Sequence, residues 1–236
     1  YEDPHLLVLD KPPGMLVHPA RHEQSGTLAN GVAHHLLVQG LPSAAGPVTR
    51  LDRDTSGLVL FAKHPHAHHR LSRDLETRTV ARRYIAVVHG RLAPDDGTVD
   101  APILKAGATS SLRVVDPAGQ RALTHYRVLA RISPLPELLH GATLVELCLE
   151  TGRTHQIRVH MAYLGHPLVG DRMYGAPEED GVPWLPARQA LHAYRLELRH
   201  PMTGDELRFA SSPPPALAPL IRFFGEAAEP LWGGPG

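Results

Sequence analysis

Two short stretches of this chain concentrate residues able to do acid–base and ionic chemistry. In Arg50-Leu51-Asp52-Arg53-Asp54-Thr55-Ser56-Gly57, two carboxylates and two guanidiniums fall within five residues, just ahead of a Thr-Ser-Gly turn. A carboxylate at the mouth of a rigid element, with a cation in reach, stays ionised and aimed. Asp52 and Asp54 share a face of an extended segment, so spacing alone leaves both open. The second stretch is Thr151-Gly152-Arg153-Thr154-His155-Gln156-Ile157-Arg158-Val159-His160. Helical spacing there sets His155, Arg158 and Ala162 along one flank, beside a buried stripe of Ile157 and Met161. A guanidinium at the edge of a core requires a partner, because unpaired burial is costly. A carboxylate from the first stretch would supply one.

The elements that must position these groups can be read from apolar pattern and turn residues. Residues 58–62 form a short buried strand behind the Thr-Ser-Gly turn. Residues 6–9 are another strand, stopped by Asp10-Lys11-Pro12-Pro13-Gly14 and resumed at 15–17. Residues 27–38 have helical spacing, and Pro65 opens a helix in which Leu71 and Leu75 face inward. Residues 84–88, 126–132, 143–149, 191–198 and 206–209 complete the strands. Thr154 is expected to cap the helix of the second stretch and Gly165 to stop it. Strands outnumber helices and several are hairpin-like, so the expected class is α+β with a mostly antiparallel sheet. One catalytic domain over residues 1–211 and a proline-rich tail over 212–236 are expected, with no internal repeats.

Composition narrows the function classes. The single Cys148 rules out an internal disulfide framework and a cysteine-cluster zinc site, which suits a cytoplasmic protein. No apolar run approaches the roughly 20 residues needed to span a bilayer, and nothing at the start reads as a secretory leader. Formal net charge is zero, from 24 basic and 24 acidic residues. Its distribution is uneven: residues 50–91 carry nine Lys/Arg against four acids. The acids Glu178, Glu179, Asp180, Glu226 and Glu229 offset that excess far along the chain. Zero net charge by itself weighs against a nucleic-acid partner, whereas a basic half around the carboxylates would suit one better than the alternative of a solvated mixed-charge face.

Two other patterns carry less weight. His64, His66, His68 and His69 straddle a helix start, where most rings point outward rather than converge on a metal; no metal is expected. Asp54-Thr55-Ser56-Gly57 spells the aspartic-protease loop, but that chemistry needs two such loops sharing a proton. The tetrapeptide occurs once here, beside two arginines.

The two stretches together resemble the RluA class of RNA pseudouridine synthases. That class has His-Arg-Leu-Asp-x-x-Thr-Ser-Gly followed by Thr-Gly-Arg-(Thr/Ser)-His-Gln-(Ile/Leu)-Arg-x-His. The Lys11-Pro12-Pro13-Gly14 block, Arg82-Arg83-Tyr84, Gly165-His166-Pro167, Gly170-Asp171 with Tyr174, Leu191-His192-Ala193 and His200-Pro201 match further parts of its pattern. The resemblance spans roughly residues 6–209. Thr49 stands where the class has His, and Arg82 where it has Lys. The S4 domain that precedes many members is not in this sequence, so the catalytic domain is expected to find its RNA alone.

What the resemblance implies is isomerisation of uridine to pseudouridine in a stem-loop of ribosomal or transfer RNA, without cofactor. It selects Asp52 over Asp54 as the essential carboxylate. Arg158 would pair with Asp52, and Tyr84 would pack on the flipped uracil. Arg50 would reach the gap left in the RNA, with Arg83, Arg153 and His155 as further RNA contacts. A monomer is expected. The competing class is an RNA-binding scaffold without catalysis, which would have no need of a buried acid.

Overall fold

The computed structural model of the protein describes residues 1–231 apart from 22, 43–44, 137, 177–181 and 183. Along the chain run β1 (Leu6–Lys11), α1 (Leu28–Val38), β2 (Gly46–Pro47), β3 (Ser56–Ala62), α2 (Pro65–Glu76), β4 (Ala81–His89) and β5 (Asp96–Asp100). They are followed by β6 (Ile103–Lys105), β7 (Arg113–Val115), β8 (Leu123–Ile132), β9 (Ala142–Leu149), α3 (Gln156–Tyr163), β10 (Leu191–Arg199), β11 (Glu206–Ala210) and α4 (Ala218–Arg222). The class is α+β with mostly antiparallel pairing, as the sequence implies. The acids Glu178, Glu179 and Asp180 lie outside the described residues, as does the chain from 232 onward. The backbone groups into two compact units: Tyr1–Arg82 with Ala193–Ser211, and Arg83–His192 with the chain from Ser212.

In the first unit, β1 and β3 pair antiparallel, with Leu6 opposite Ala62 and Lys11 opposite Gly57. Side chains alternate across a strand, so the two strands have two apolar faces. Leu6, Val8, Leu60 and Ala62 meet Ala67 and Leu71 of α2. Leu7, Val59 and Phe61 meet Val32 and Leu36 of α1. Full burial of a side chain such as Phe61 or Leu36 contributes about 1.5–3 kcal/mol. Each helix has a definite start. Thr27 and Asn30 form a reciprocal capping box on α1, and Pro65 opens α2 behind the His64 cap.

Residues 15–17 do not resume β1. The Leu16 and Val17 carbonyls instead accept the Leu28 and Ala29 N–H groups, at 2.9 Å each. A helix leaves its first N–H groups without intrahelical acceptors, and this segment is drawn into satisfying them. β3 also starts earlier than its apolar run, at Ser56. That early start presses Gly57, at φ 113°, against β10: a Cβ there would stand 2.2 Å from the Ala193 carbonyl oxygen.

In the second unit, β4, β9, β8 and β5 lie side by side in that order. Tyr84 faces Leu147, Tyr126 faces Leu147 from the other side, and Gly97 faces Tyr126. β4 is buried from Tyr84 to His89. The proline-rich segment expected as a tail is folded to residue 231. Leu217, Leu220, Ile221, Phe224, Ala228 and Leu231 are all buried. Leu217 and Ile221 border the same small gap as Ile85, Val87 and Leu144. Their three- and four-residue spacing is a helical stripe that the surrounding prolines hid.

Two stability predictions follow from these placements. Gly57→Ala is expected to lower unfolding free energy by at least about 2 kcal/mol, from clash added to backbone strain. Gly204→Ala, at φ 82° but with open space around it, should lose only about 1 kcal/mol in the same urea titration. His89 is held neutral by burial, and secondarily by the nearby His140 charge, with its pKa lowered from 6.5 to about 4. A histidine pKa depressed on folding gives stability that is complete above about pH 6.5 and lost as pH falls toward 4. Thermal midpoints measured across that window should fall for the wild type and fall less for His89→Asn.

Candidate active site

The loop carrying Asp52 is pinned at several points within the first unit. The Thr55 N–H donates to the Asp52 carbonyl at 3.1 Å, closing a turn over residues 52–55. The turn therefore lies ahead of the Thr-Ser-Gly tripeptide and shares only Thr55 with it, since Ser56 and Gly57 already belong to β3. Thr49, standing where the resembling class has His, is buried, and its hydroxyl accepts the Leu60 N–H at 2.9 Å. Thr55 and Ser56 are buried, Asp52 and Asp54 half-buried, and Arg50 and Arg53 exposed.

Lys11 completes the clamp. Only 1% of it is exposed, and its ammonium donates to the Pro12, Met15 and Arg53 carbonyls at 2.8 Å each. Three acceptors match the three N–H donors of an ammonium, which offsets the cost of burying it. The Arg53 carbonyl belongs to the residue next to Asp52, so the turn after β1 and the Asp52 turn are fastened to each other. In the sequence Lys11 stands out only as part of the turn expected to stop β1 and of a block matching the resembling class, whereas it is the last residue of β1. The available signal was its parity with Leu7 and Leu9, which puts it on a buried face of β1. Arg53 itself reaches Glu23 at 2.5 Å on the surface, an exposed pair worth roughly 0–1 kcal/mol.

The second stretch lies wholly in the other unit. α3 starts one residue later than expected: its N-cap is His155, in the left-handed region at φ 57°, and Thr154 is not the cap. Buried Gln156 accepts from the Thr151 hydroxyl and the Arg153 N–H, and donates to the Leu123 carbonyl and the Thr124 hydroxyl. His160, fully buried, accepts a hydrogen bond from the Thr124 hydroxyl at Nδ1 and donates one from Nε2 to the Ala101 carbonyl. Burial pushes its pKa below the ordinary histidine value. These two residues lock α3 onto β8. Gly165, at φ 80°, follows the helix as expected.

Arg158 is 7% exposed and meets Asp171 through two parallel bonds, Nε to Oδ2 at 2.6 Å and Nη2 to Oδ1 at 2.8 Å. Its guanidinium stands 4.9 Å over the Tyr174 ring. Tyr174 also reaches His155, so the structure gathers His155 and Arg158 around one aromatic residue. Asp171 and Tyr174 were visible in the sequence only as matching positions, with no role attached. Tyr84 is 5% exposed on β4. Arg83 and Arg127 share Glu146, and Arg153 donates from Nε to the Arg121 carbonyl. Of the histidines considered for metal, His64 caps α2 and lies 2.9 Å from His5. No metal-binding cluster occurs among the described residues.

These placements can be set beside known proteins. Residues 5–163 match the family model described as RNA pseudouridylate synthase. The chain is 46% identical over 222 residues to "Uncharacterized RNA pseudouridine synthase YjbO" of Bacillus subtilis, covering 94% of this chain and 74% of that protein. It is 44% identical over 227 residues to "Ribosomal large subunit pseudouridine synthase D" of Nitrosomonas europaea, covering 94% of this chain and 63% of that one. Among solved structures, "Human RNA Pseudouridylate Synthase Domain Containing 1" superimposes with a TM-score of 0.70 at 26% identity, over 92% of this chain and 84% of that chain. Motifs, fold and relatives converge on one assignment: the chain belongs to the RNA pseudouridylate synthase family.

Proposed function

We propose that this protein converts a uridine in a ribosomal or transfer RNA stem-loop to pseudouridine, with Asp52 as the essential carboxylate. The observation that supports a carboxylate working from this turn is its clamp: Lys11 bonds the Arg53 carbonyl beside Asp52, and Thr49 and Gly57 fix the adjoining strand β3; the choice of Asp52 comes from the resemblance. A group that must meet one sugar carbon is best held on a preorganised backbone. Asp54 stands on the same turn but at a position that the resembling class leaves variable. The ribosomal choice is favoured by the relative named for the large ribosomal subunit.

The reaction balances without a cofactor. The bond from N1 to C1′ breaks, uracil turns within the site, and C5 bonds to C1′. C5 then loses its proton and N1 gains one. Asp52 acts at the sugar, as nucleophile at C1′ or as base at C2′. Tyr84 packs on the flipped uracil, and Arg158 supplies positive charge to the same reaction. Arg50, Arg83, Arg153 and His155 hold the RNA. Extruding the base costs a few kcal/mol, least where a loop already leaves it unstacked. Action as a monomer in the cytoplasm is part of this proposal. The lone cysteine agrees with a cytoplasmic location, and no described helix is long and apolar enough to cross a membrane.

Tritium release from RNA transcripts labelled at C5 of uridine tests the assignment. Asp52→Asn should cut release on the order of a thousandfold or more, whereas Asp54→Asn should stay within about threefold, since the resembling class leaves that position variable. The reverse pattern sinks the choice of Asp52. RNA binding without release on any transcript would return the scaffold reading. Lys11→Met keeps the stem but abandons three buried carbonyls, so about 2–4 kcal/mol of stability should be lost in urea unfolding. Single-turnover release by the folded K11M fraction should fall as well, because the Asp52 turn loses its tie to the turn after β1.

A further inference from the structure

We infer that Tyr174 is a positioning residue whose hydroxyl sets RNA affinity and whose ring sets the rate, through His155 and Arg158 respectively. This rests on the reading of Arg158 and His155 given above. Tyr174 ends a single 3₁₀ turn that begins just after Asp171. Its hydroxyl accepts the Arg113 N–H of β7 at 3.1 Å and meets His155 Nδ1 at 2.7 Å. Its ring meets His155 edge-on at 5.7 Å between centroids and lies under the Arg158 guanidinium. One side chain thus touches a strand of the β6–β7 hairpin, the N-cap of α3 and a buried arginine one turn into that helix.

The chemistry of each contact gives it a distinct job. A phenol that already accepts the Arg113 N–H can donate its O–H as a hydrogen bond to Nδ1 of a neutral imidazole. That fixes the tautomer in which Nε2–H of His155 is the donor. The same contact holds His155 in a left-handed conformation that a residue with a Cβ seldom adopts. Strain of this kind persists only where neighbours over-determine it, and it gathers at functional positions. The ring acts differently. Asp171 takes two N–H groups of Arg158 in the plane of the guanidinium, and the Tyr174 ring packs on its face. Together they define both the edge and the plane of the cation. The hairpin enters through Arg113: its backbone N–H, at the start of β7, is tied to the Tyr174 hydroxyl.

The two roles separate in a comparison of Tyr174→Phe with Tyr174→Leu. Y174F keeps the ring and deletes the hydroxyl. It should raise KM and Kd for the RNA substrate on the order of fivefold, with single-turnover tritium release at saturating RNA held within about twofold. Y174L removes the ring as well, and saturating release should fall a further tenfold or more. Urea unfolding of both variants confirms that folded protein is being compared. Wild-type KM and Kd in Y174F would overturn the hydroxyl's role. Equal saturating rates in Y174F and Y174L would overturn the ring's role. Arg158→Ala tells failure of this inference from failure of the underlying reading. If R158A releases tritium at the wild-type rate, Arg158 is not catalytic and the ring's role falls with it, while the Y174F affinity shift still decides the hydroxyl's.

Discussion

A buried ammonium organises the first unit. Lys11 sits at the end of a strand that is apolar from Leu6 to Leu9, and its charge is tolerated because three carbonyls converge on it. Those carbonyls come from two turns far apart in the chain. Without the lysine, each turn would have to place its carbonyls toward water, and neither would have reason to lie against the other. The position of Asp52 is therefore set by a residue that does no chemistry. The apolar faces of β1 and β3, covered by α2 and α1, hold the strand that carries this lysine.

The second unit solves the same problem with neutral groups. Gln156 and His160 face the Thr124 hydroxyl from one helix turn apart, and every polar atom described in that small network has a partner of matching type. The helix is thereby fixed in rotation as well as position. Arg158 points where it does because its neighbours on either side are already committed. In both units the reactive candidates stand beside residues whose own polar needs leave no freedom.

Much of this was legible in the sequence. The α+β class, most strands, the starts of α1 and α2 and the two dense motifs can all be read from alternation, capping residues and spacing. What escaped reading depended on distant partners. Residues 15–17 look like a strand, yet the Leu16 and Val17 carbonyls serve the first turn of a helix twelve residues on. Thr154 is a good cap by type, but the backbone enters α3 through a left-handed His155, and no local rule selects that conformation. The prolines around residue 214 suggested a tail, although the apolar stripe that follows them folds onto a strand. Asp171, which takes two N–H groups of Arg158, emerged as a partner only with the fold. Lys11 is the clearest case: a lysine reads as surface until its three acceptors are seen.

The contact of Gly57 with Ala193 bears on how the protein comes into being. The two residues are far apart in sequence, and the bonds from His200 to Asp3 and from Ser211 to Asp10 span 197 and 201 positions. A ribosome adding about 5–20 residues per second releases the Asp52 loop several seconds before β10 exists to press against it. During that interval the loop lacks one wall of its final cradle. The chain's own synthesis thus separates the emergence of the Asp52 loop from the completion of the wall that β10 gives it.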